Sequence, residues 1–102
     1  MTERRHSRRA RLSLPCVLSP ELGSPIWAET IDVGEGGLSV RAVRPLRADQ
    51  ELDFDLAPGE MHVEGTATVV RKHAPRVYGL RFESLDAAMR ERLLELVGEA
   101  RA

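Results

Sequence analysis

The sequence predicts an all-β domain in which six short strands form a closed or nearly closed barrel and one helix follows at the C-terminal end. Three observations lead to this prediction. Short segments with alternating apolar residues follow one another at regular spacing, separated by turn residues. The apolar spacing then becomes helical after Ser84. Finally, 102 residues suffice for one hydrophobic core but not for two.

Alternating apolar residues define the strands. Residues 12–18, LSLPCVL, alternate in this way, and Pro15 among them indicates an edge or bulged strand. Residues 51–56, ELDFDL, show the clearest alternation. Residues 61–72 are long enough for one bent strand or two short ones, with Gly65 as the natural position of a bulge. The remaining strands are predicted at residues 26–33, 38–42 and 77–83.

The last segment of the chain predicts a helix over about residues 85–100. Ser84 is suited to cap its N-terminus, and Asp86 is favourable in the first turn. Apolar residues recur along it at helical spacing, namely Met89, Leu93, Leu96 and Ala100. This apolar stripe needs a surface to cover, so we expect the helix to pack on an open end or a side of the barrel.

Charge is distributed unevenly along the chain. Residues 1–11 contain five arginines and one glutamate, a net charge of +4, and because the whole chain carries −1 the remaining residues carry −5. The chain therefore divides into a flexible basic arm, residues 1–11, and one acidic domain, residues 12–102. No apolar segment approaches the roughly twenty residues of a membrane helix, and the basic N-terminus lacks the apolar stretch of a secretory signal. We expect a cytoplasmic protein without membrane insertion.

The residue types that carry catalysis are scattered. His6, His62 and His73 lack the spacing of a metal site, and no serine lies in a GxSxG motif. The acidic residues of 51–56 alternate on what should be an exposed strand face, which favours solvation over acid–base chemistry. The single cysteine, Cys16, has no partner for a disulfide and fits a small core residue. These observations predict a protein that is not an enzyme and needs no metal or cofactor.

A glycine-rich segment, DVGEGG at residues 32–37, lies between two predicted strands. One interpretation is a tight hairpin in which the glycines supply positive φ angles. The other is a ligand-binding loop, because bare backbone admits close approach and Asp32 can accept hydrogen bonds from the N1–H and N2–H₂ edge of a guanine. Arg9 and Arg11 run directly into the first strand, and their guanidinium groups suit an anion. The basic arm and the glycine-rich segment together favour a nucleotide as the ligand.

The arm resembles the first signature of the PilZ domains, which are bacterial receptors for cyclic di-GMP. That signature is an RxxxR arm, and the segment RRHSRR supplies Arg5 and Arg9 at this spacing. Arg4 is the extra arginine that often precedes the pair. A second register, Arg4 with Arg8, also fits the spacing. We prefer the first register because RLSLP then falls where such domains begin their first strand.

The glycine segment resembles the second signature, a D/N-x-S-x-x-G loop. Asp32 and Gly37 occupy its outer positions, Gly36 lies inside it, and Gly34 stands where the family has serine. Further along the chain, VYGLRFESL resembles the strand and helix entry of such domains. The resemblance covers nearly the whole chain.

The resemblance implies a six-stranded antiparallel β-barrel with a C-terminal α-helix, which binds cyclic di-GMP between arm and loop. Arg5 and Arg9 would grip phosphates and guanine O6/N7 edges, Asp32 would read the other guanine edge, and Gly37 would allow close approach. Binding would order the arm and pass a signal to an unidentified partner protein, since the chain has no output domain. The predicted site comprises Arg4, Arg5, Arg9, Asp32, Gly34, Gly36 and Gly37.

Two alternatives stay open. The same barrel could be an adaptor that has lost ligand binding and acts by protein–protein contact, which glycine at the serine position would permit. It could also be a nucleic-acid-binding barrel with a basic arm. Such barrels use a stacking platform. Here several aromatic residues must belong to the core, and the chain has only Trp27, Phe54, Tyr78 and Phe82. We therefore expect no nucleic acid partner.

Overall fold

The computed structural model describes residues 9–59 and 62–101, which form seven strands and one helix. Six of the strands close an antiparallel barrel and β1 is an additional strand, which confirms the predicted fold class. In chain order the elements are β1 (Arg9–Arg11), β2 (Pro15–Pro20), β3 (Ile26–Gly34), β4 (Gly37–Ala42), β5 (Glu51–Leu56), β6 (Val63–Ala74), β7 (Val77–Ser84) and α1 (Ala87–Arg101).

The barrel closes through β3. Hydrogen-bonded neighbours follow the order β3, β2, β5, β6, β7 and β4, and β4 pairs again with β3. Strand β1 lies beside the part of β3 that β2 does not cover, because Arg9 is opposite Gly34 whereas Pro15 is opposite Glu29. β1 and β2 therefore follow one another along the same edge of β3, as two parts of an interrupted strand.

This interruption changes the first strand expected from the sequence. The sequence predicts one strand over residues 12–18, but residues 12–14 lie outside both β1 and β2. The pairing register shifts by one residue across them, from Arg11 opposite Asp32 to Pro15 opposite Glu29. Proline fits the first position of a strand because it has no N–H to donate. The end of the expected arm thus belongs to the sheet, and residues 1–8 lie outside the described residues.

Apolar side chains from alternate strand positions fill the barrel. All three apolar residues of β5 are buried, as their alternation predicts. Phe54 among them packs against Phe82, with ring centroids 5.2 Å apart. Cys16 is fully buried, which confirms its expected place in the core. Burial raises the pKa of the Cys16 thiol to about 12 and the Asp55 carboxylate adds to the rise, so the thiol stays protonated at neutral pH.

Strand β6 is a single long strand that bends along β7. Its pairing with β5 is regular, whereas against β7 the register shifts between Thr66 and Ala67 and at two later points. The first irregularity follows Gly65, where an added Cβ would lie 2.3 Å from the Ser84 carbonyl oxygen. The predicted bulge at Gly65 therefore falls one residue later, and the glycine allows the end of β7 to approach.

The helix α1 begins at Ala87 and is capped by Asp86. The Asp86 carboxylate accepts a hydrogen bond of 2.9 Å from the Met89 backbone N–H, which satisfies a donor of the first turn. Ser84, the cap expected from the sequence, is instead the last residue of β7.

One face of α1 packs against β1, β3 and β6. Leu93 and Val97, four residues apart on this face, are fully buried, and Met89 and Leu96 are partly buried beside them. Ala100, predicted as the last member of the stripe, is exposed. Within the described part of the chain, no helix is both long and apolar enough to cross a membrane.

Strands β4 and β7 approach each other very closely at Gly37. An added Cβ there would lie 2.0 Å from the Leu80 carbonyl oxygen and 3.2 Å from the Arg81 Cα, which are both backbone atoms. The Phe82 N–H donates a hydrogen bond of 2.9 Å to the Gly36 carbonyl at the same junction. At Gly36 an added Cβ would meet nothing within 4 Å. Packing therefore requires glycine at residue 37 but not at residue 36.

We predict that Gly37→Ala lowers the free energy of unfolding by about 1–3 kcal/mol or more, because β4 and β7 must separate to admit the methyl group. Gly36→Ala is the matched control and should change it by less than about 0.5 kcal/mol. Urea denaturation followed by circular dichroism measures both variants. Equal losses in the two would contradict the packing role of Gly37.

Candidate functional site

A row of side chains crosses four strands on the outer surface of the barrel. The pairing registers place Asp32 of β3 opposite Ser39 of β4, Ser39 opposite Gly79 of β7, and Gly79 opposite Arg71 of β6. The residues on either side of Ser39 and Gly79 in their strands are buried in the core. Because side chains alternate along a strand, the row itself faces outward.

This row lines an open cleft of about 350 Å³. The missing side chain of Gly79 leaves room for His73, whose Nε2 lies 3.1 Å from the position that a Gly79 Cβ would take. Val70 adds an apolar side chain that is 46% exposed. The complete lining consists of Arg9, Asp32, Leu38, Ser39, Val70, Arg71, His73, Gly79 and Leu80.

An ion pair joins the arm and the glycine loop at the edge of the cleft. Arg9 Nη2 donates a hydrogen bond to Asp32 Oδ1, and about a third of each side chain is exposed, 32% and 31%. Arg9 lies opposite Gly34 in the pairing of β1 with β3. Its long side chain reaches diagonally to Asp32, which is two residues before Gly34 in β3. Two segments more than twenty residues apart in sequence therefore meet in space.

Thr30 fixes β1 beside β3. Its hydroxyl donates a hydrogen bond to the Leu12 carbonyl and accepts one of 2.8 Å from the Leu14 N–H, in the gap between β1 and β2. The backbone N–H of Thr30 also donates to the Leu14 carbonyl at 2.9 Å. Thr30 is 2% exposed, so water cannot readily replace these partners. Since β1 carries Arg9, Thr30 positions that guanidinium group beside Asp32.

The glycine loop connects β3 to β4. Gly34 is buried at the end of β3, whereas Gly36 is exposed on the turn. Neither they nor Gly37 have positive φ, and the described glycines with positive φ are Gly23 and Gly59. The expectation of a hairpin built on positive φ angles is therefore wrong. Glycine serves here to let β7 approach and to leave the turn surface bare.

Arg9 lies beside the glycine segment, residues 32–37. That segment contains the other described members of the predicted site, which are Asp32, Gly34, Gly36 and Gly37. Arg4 and Arg5, the remaining two members, lie outside the described residues.

Sequence reasoning missed the far wall of the cleft. Ser39, Arg71 and His73 were not among the predicted site residues, although Ser39 and Arg71 occupy outward positions of their strands. Their alternation was visible in the sequence. The order of the strands was not visible in the sequence. It brings Ser39 and Arg71 to the same cleft, because β4 and β6 are both neighbours of β7.

The cleft combines positive charge with hydrogen-bond acceptors. Arg9 and Arg71 supply guanidinium groups, His73 an imidazole, Asp32 a carboxylate and Ser39 a hydroxyl. An anionic ligand with both donor and acceptor edges would find a partner for each. Among the described residues, no group of three or more His, Cys, Asp or Glu side chains is placed to hold a metal ion.

The fold and the cleft define a small β-barrel domain with a C-terminal helix and a surface site suited to an anion. The family model described as the PilZ domain matches residues 3–99. The chain belongs to the PilZ domain family, which confirms the family that the sequence resembles. No curated protein matches the chain.

Several solved structures share the fold, and three of them illustrate it. The Bacillus subtilis inhibitor of motility, MotI/DgrA, superposes with a TM-score of 0.80 at 19% identity, over 98% of this chain and 52% of that one. The PilZ domain of Escherichia coli YcgR with c-di-GMP superposes with a TM-score of 0.76 at 12% identity, over 97% of this chain and 92% of that one. The PilZ domain of CeSA from a cellulose-synthesizing bacterium superposes with a TM-score of 0.70 at 16% identity, over 92% of this chain and 98% of that one. This chain thus spans about half the length of the motility inhibitor.

We predict that Thr30→Val lowers the free energy of unfolding by about 1–3 kcal/mol, because the Leu12 carbonyl and the Leu14 N–H lose a buried partner. Amide hydrogen exchange in β1 should also become faster. Thr66→Val, at a half-buried threonine of β6, is the control and should cost less than about 0.5 kcal/mol. Urea unfolding and exchange measured by mass spectrometry test both variants. Unchanged exchange in β1 of Thr30→Val would contradict the anchoring role.

Proposed function

We propose that the chain is a cyclic di-GMP receptor that binds the dinucleotide in the cleft between its arginine arm and its glycine loop. One observation carries the proposal: Arg9 and Asp32, from the two signature segments, share the edge of a cleft on the barrel surface. Membership of the PilZ family and the presence of c-di-GMP in the similar YcgR domain support this choice of ligand.

The ion pair at the cleft edge can admit the ligand without breaking. A guanidinium group has five N–H donors, so Arg9 can hold Asp32 and still donate to a phosphate or to a guanine O6/N7 edge. The carboxylate of Asp32 has four lone-pair sites on two oxygens, which leaves acceptor capacity for the N1–H and N2–H₂ edge of guanine. Each of the two residues thus recognises a different part of one nucleotide.

The far wall of the cleft gives the ligand a second set of contacts. Arg71 and His73 offer donors on the side opposite Arg9 and suit the second phosphodiester group. Val70 presents an apolar surface on which a guanine ring can lie. A ligand with two phosphates and two bases would therefore be held from both sides of the cleft.

The two glycines of the turn contribute in different ways. Gly36 is exposed and has open space where a Cβ would be, so it supplies the bare backbone that a ligand can approach. Gly37 keeps the turn in position through its close contact with the Leu80 carbonyl. Arg5, with Arg4 beside it, completes the site from the arm. Closure of the arm over the ligand is the change that a partner protein would detect.

A ligand-independent adaptor is the second candidate, and Gly34 at the position of the motif serine favours it. A serine hydroxyl would add a hydrogen bond to a charged ligand, worth about 1.5–3 kcal/mol or roughly tenfold or more in affinity. Thermal unfolding separates the two candidates. A receptor gains about 2.7 kcal/mol of stability at a ligand concentration a hundred times Kd, whereas the Tm of an adaptor does not change.

We predict that Arg5→Ala and Arg9→Ala each weaken cyclic di-GMP binding at least about tenfold, because a bidentate arginine contact to guanine is worth about 1–3 kcal/mol. Arg4→Ala should weaken binding less. Arg90→Ala, on the exposed face of α1, is the control for the lost positive charge. Isothermal titration calorimetry at one salt concentration measures these four variants and Arg8→Ala. If Arg4 or Arg8 proves dominant, the other register of the arm is the binding one.

We predict that Gly34→Ser maintains or improves affinity for cyclic di-GMP, because it restores the hydroxyl of the family motif. Gly34→Ala is the matched control, since it adds the Cβ without the hydroxyl. The same calorimetric titration compares the two. A clear loss of affinity in Gly34→Ser would show that the loop does not meet the ligand as the family motif implies.

A further inference from the structure

A second concave surface lies at the other end of the hairpin formed by β3 and β4. Trp27 and Val43 are neighbours there, joined by a hydrogen bond of 3.0 Å from the Val43 N–H to the Trp27 carbonyl. They are 58% and 57% exposed, and they line a mainly apolar cleft of about 410 Å³. Apolar side chains this exposed on a folded domain mark a contact site when they are grouped.

Two exposed arginines, Arg41 and Arg76, line the cleft with this apolar pair, and a third, Arg44, follows Val43 in the chain and bonds to the segment just before Trp27. We call these five residues the Trp27 surface. One acidic residue, Glu29, also lines the cleft: it lies opposite Arg41 in the pairing of β3 with β4 and accepts a hydrogen bond of 2.7 Å from the Ser13 hydroxyl, so three arginines face one carboxylate here. Residues 12–102 carry a net charge of −5. The Trp27 surface is therefore a positive patch on an acidic domain.

Two of the arginines are already held in place. Arg76 Nη1 donates a hydrogen bond of 2.7 Å to the Val43 carbonyl, and Arg44 Nη2 lies 3.0 Å from the carbonyl oxygens of both Ser24 and Pro25. A guanidinium group has five N–H donors, so each retains donors for another partner. Side chains that are ordered in advance lose less conformational entropy on binding. The arginines are thus prepared to receive carboxylates around an apolar centre.

We propose that the Trp27 surface docks a partner protein through an acidic segment that carries a large apolar side chain. The apolar side chain fills the cleft beside Trp27, and flanking carboxylates pair with the three arginines. Tryptophan and arginine are the residue types that most often dominate binding energy at protein interfaces. This inference deepens the proposed function because it gives the class of partner, but docking itself requires no cyclic di-GMP.

Other occupants fit the Trp27 surface less well. A second copy of the chain would present acidic residues from another part of the barrel, such as Glu51 and Asp53 of β5, so the two copies would use different surfaces. Such a heterologous contact produces a ring or an open filament instead of a two-fold dimer. A nucleic acid would have to approach an acidic domain that offers one exposed aromatic ring here, in place of a series of stacking rings.

Fluorescence of Trp27, the only tryptophan of the chain, reports directly on this surface. The probe is a short synthetic peptide in which glutamates flank a central leucine–phenylalanine pair, titrated into the full chain without cyclic di-GMP. We expect a blue shift of the emission as the ring leaves water. A peptide with lysines in place of the glutamates should give no shift.

Charge reversal at Arg41 tests the recognition. Arg41 is exposed, and Arg41→Glu should weaken binding of the acidic peptide at least about tenfold, which corresponds to about 1.4 kcal/mol. Arg90→Glu, at an exposed position of α1, is the control with the same change in net charge and should leave binding within about twofold. Both variants should bind cyclic di-GMP like the unmodified chain, which separates failure of this inference from failure of the proposed receptor function.

Several results would overturn the docking surface. These are no shift with the acidic peptide, equal loss in Arg41→Glu and Arg90→Glu, or a larger shift with single-stranded RNA than with the peptide. Concentration-dependent self-association in analytical ultracentrifugation that Trp27→Ala abolishes would assign the surface to a second copy instead. A peptide shift that depends on Arg41 but not on Arg90 supports the docking surface.

Discussion

The hydroxyl of Thr30 holds the candidate site together from inside the sheet. Strand β1 has three residues, too few to stay paired on their own hydrogen bonds alone. Thr30 bridges the chain just after it, and burial of Ala10 adds a small apolar contact to the core. Together with the packing of α1 on β1 and the hydrogen bond from the Leu12 N–H to the Ile31 carbonyl, these contacts keep Arg9 beside Asp32. A buried hydrogen bond therefore determines the geometry of a surface site that it does not touch.

Different physical constraints act on the glycines around the candidate site. At Gly37 the constraint is the Leu80 carbonyl of β7, which occupies the place of a side chain. Gly36 faces open space, so nothing within the fold requires glycine there. Gly79 is a third case, because its missing side chain makes room for His73 in the cleft. One residue type thus allows two strands to approach at one position and shapes the candidate site at two others.

The hairpin of β3 and β4 connects the two surfaces of the domain. Asp32 at the cleft and Trp27 at the proposed docking surface are five residues apart in β3, about 16 Å at the usual rise of a strand. A partner docked at Trp27, as proposed, would therefore leave the cleft uncovered. The pairing of β3 with β4 spans both sites, with one register shift between Thr30 and Asp32.

The sequence by itself determined the barrel and the helix, because alternating and helical apolar spacing report burial directly. It indicated the meeting of arm and loop only through the resemblance of two short motifs to a known family. It also placed Cys16 in the core. Only the tertiary structure decided where β1 ends and β2 begins, since that gap depends on a Thr30 hydroxyl supplied by another strand. It alone decided that Arg71 and His73 face Asp32 across the cleft, because strand order is set by non-local pairing that no short segment of sequence encodes.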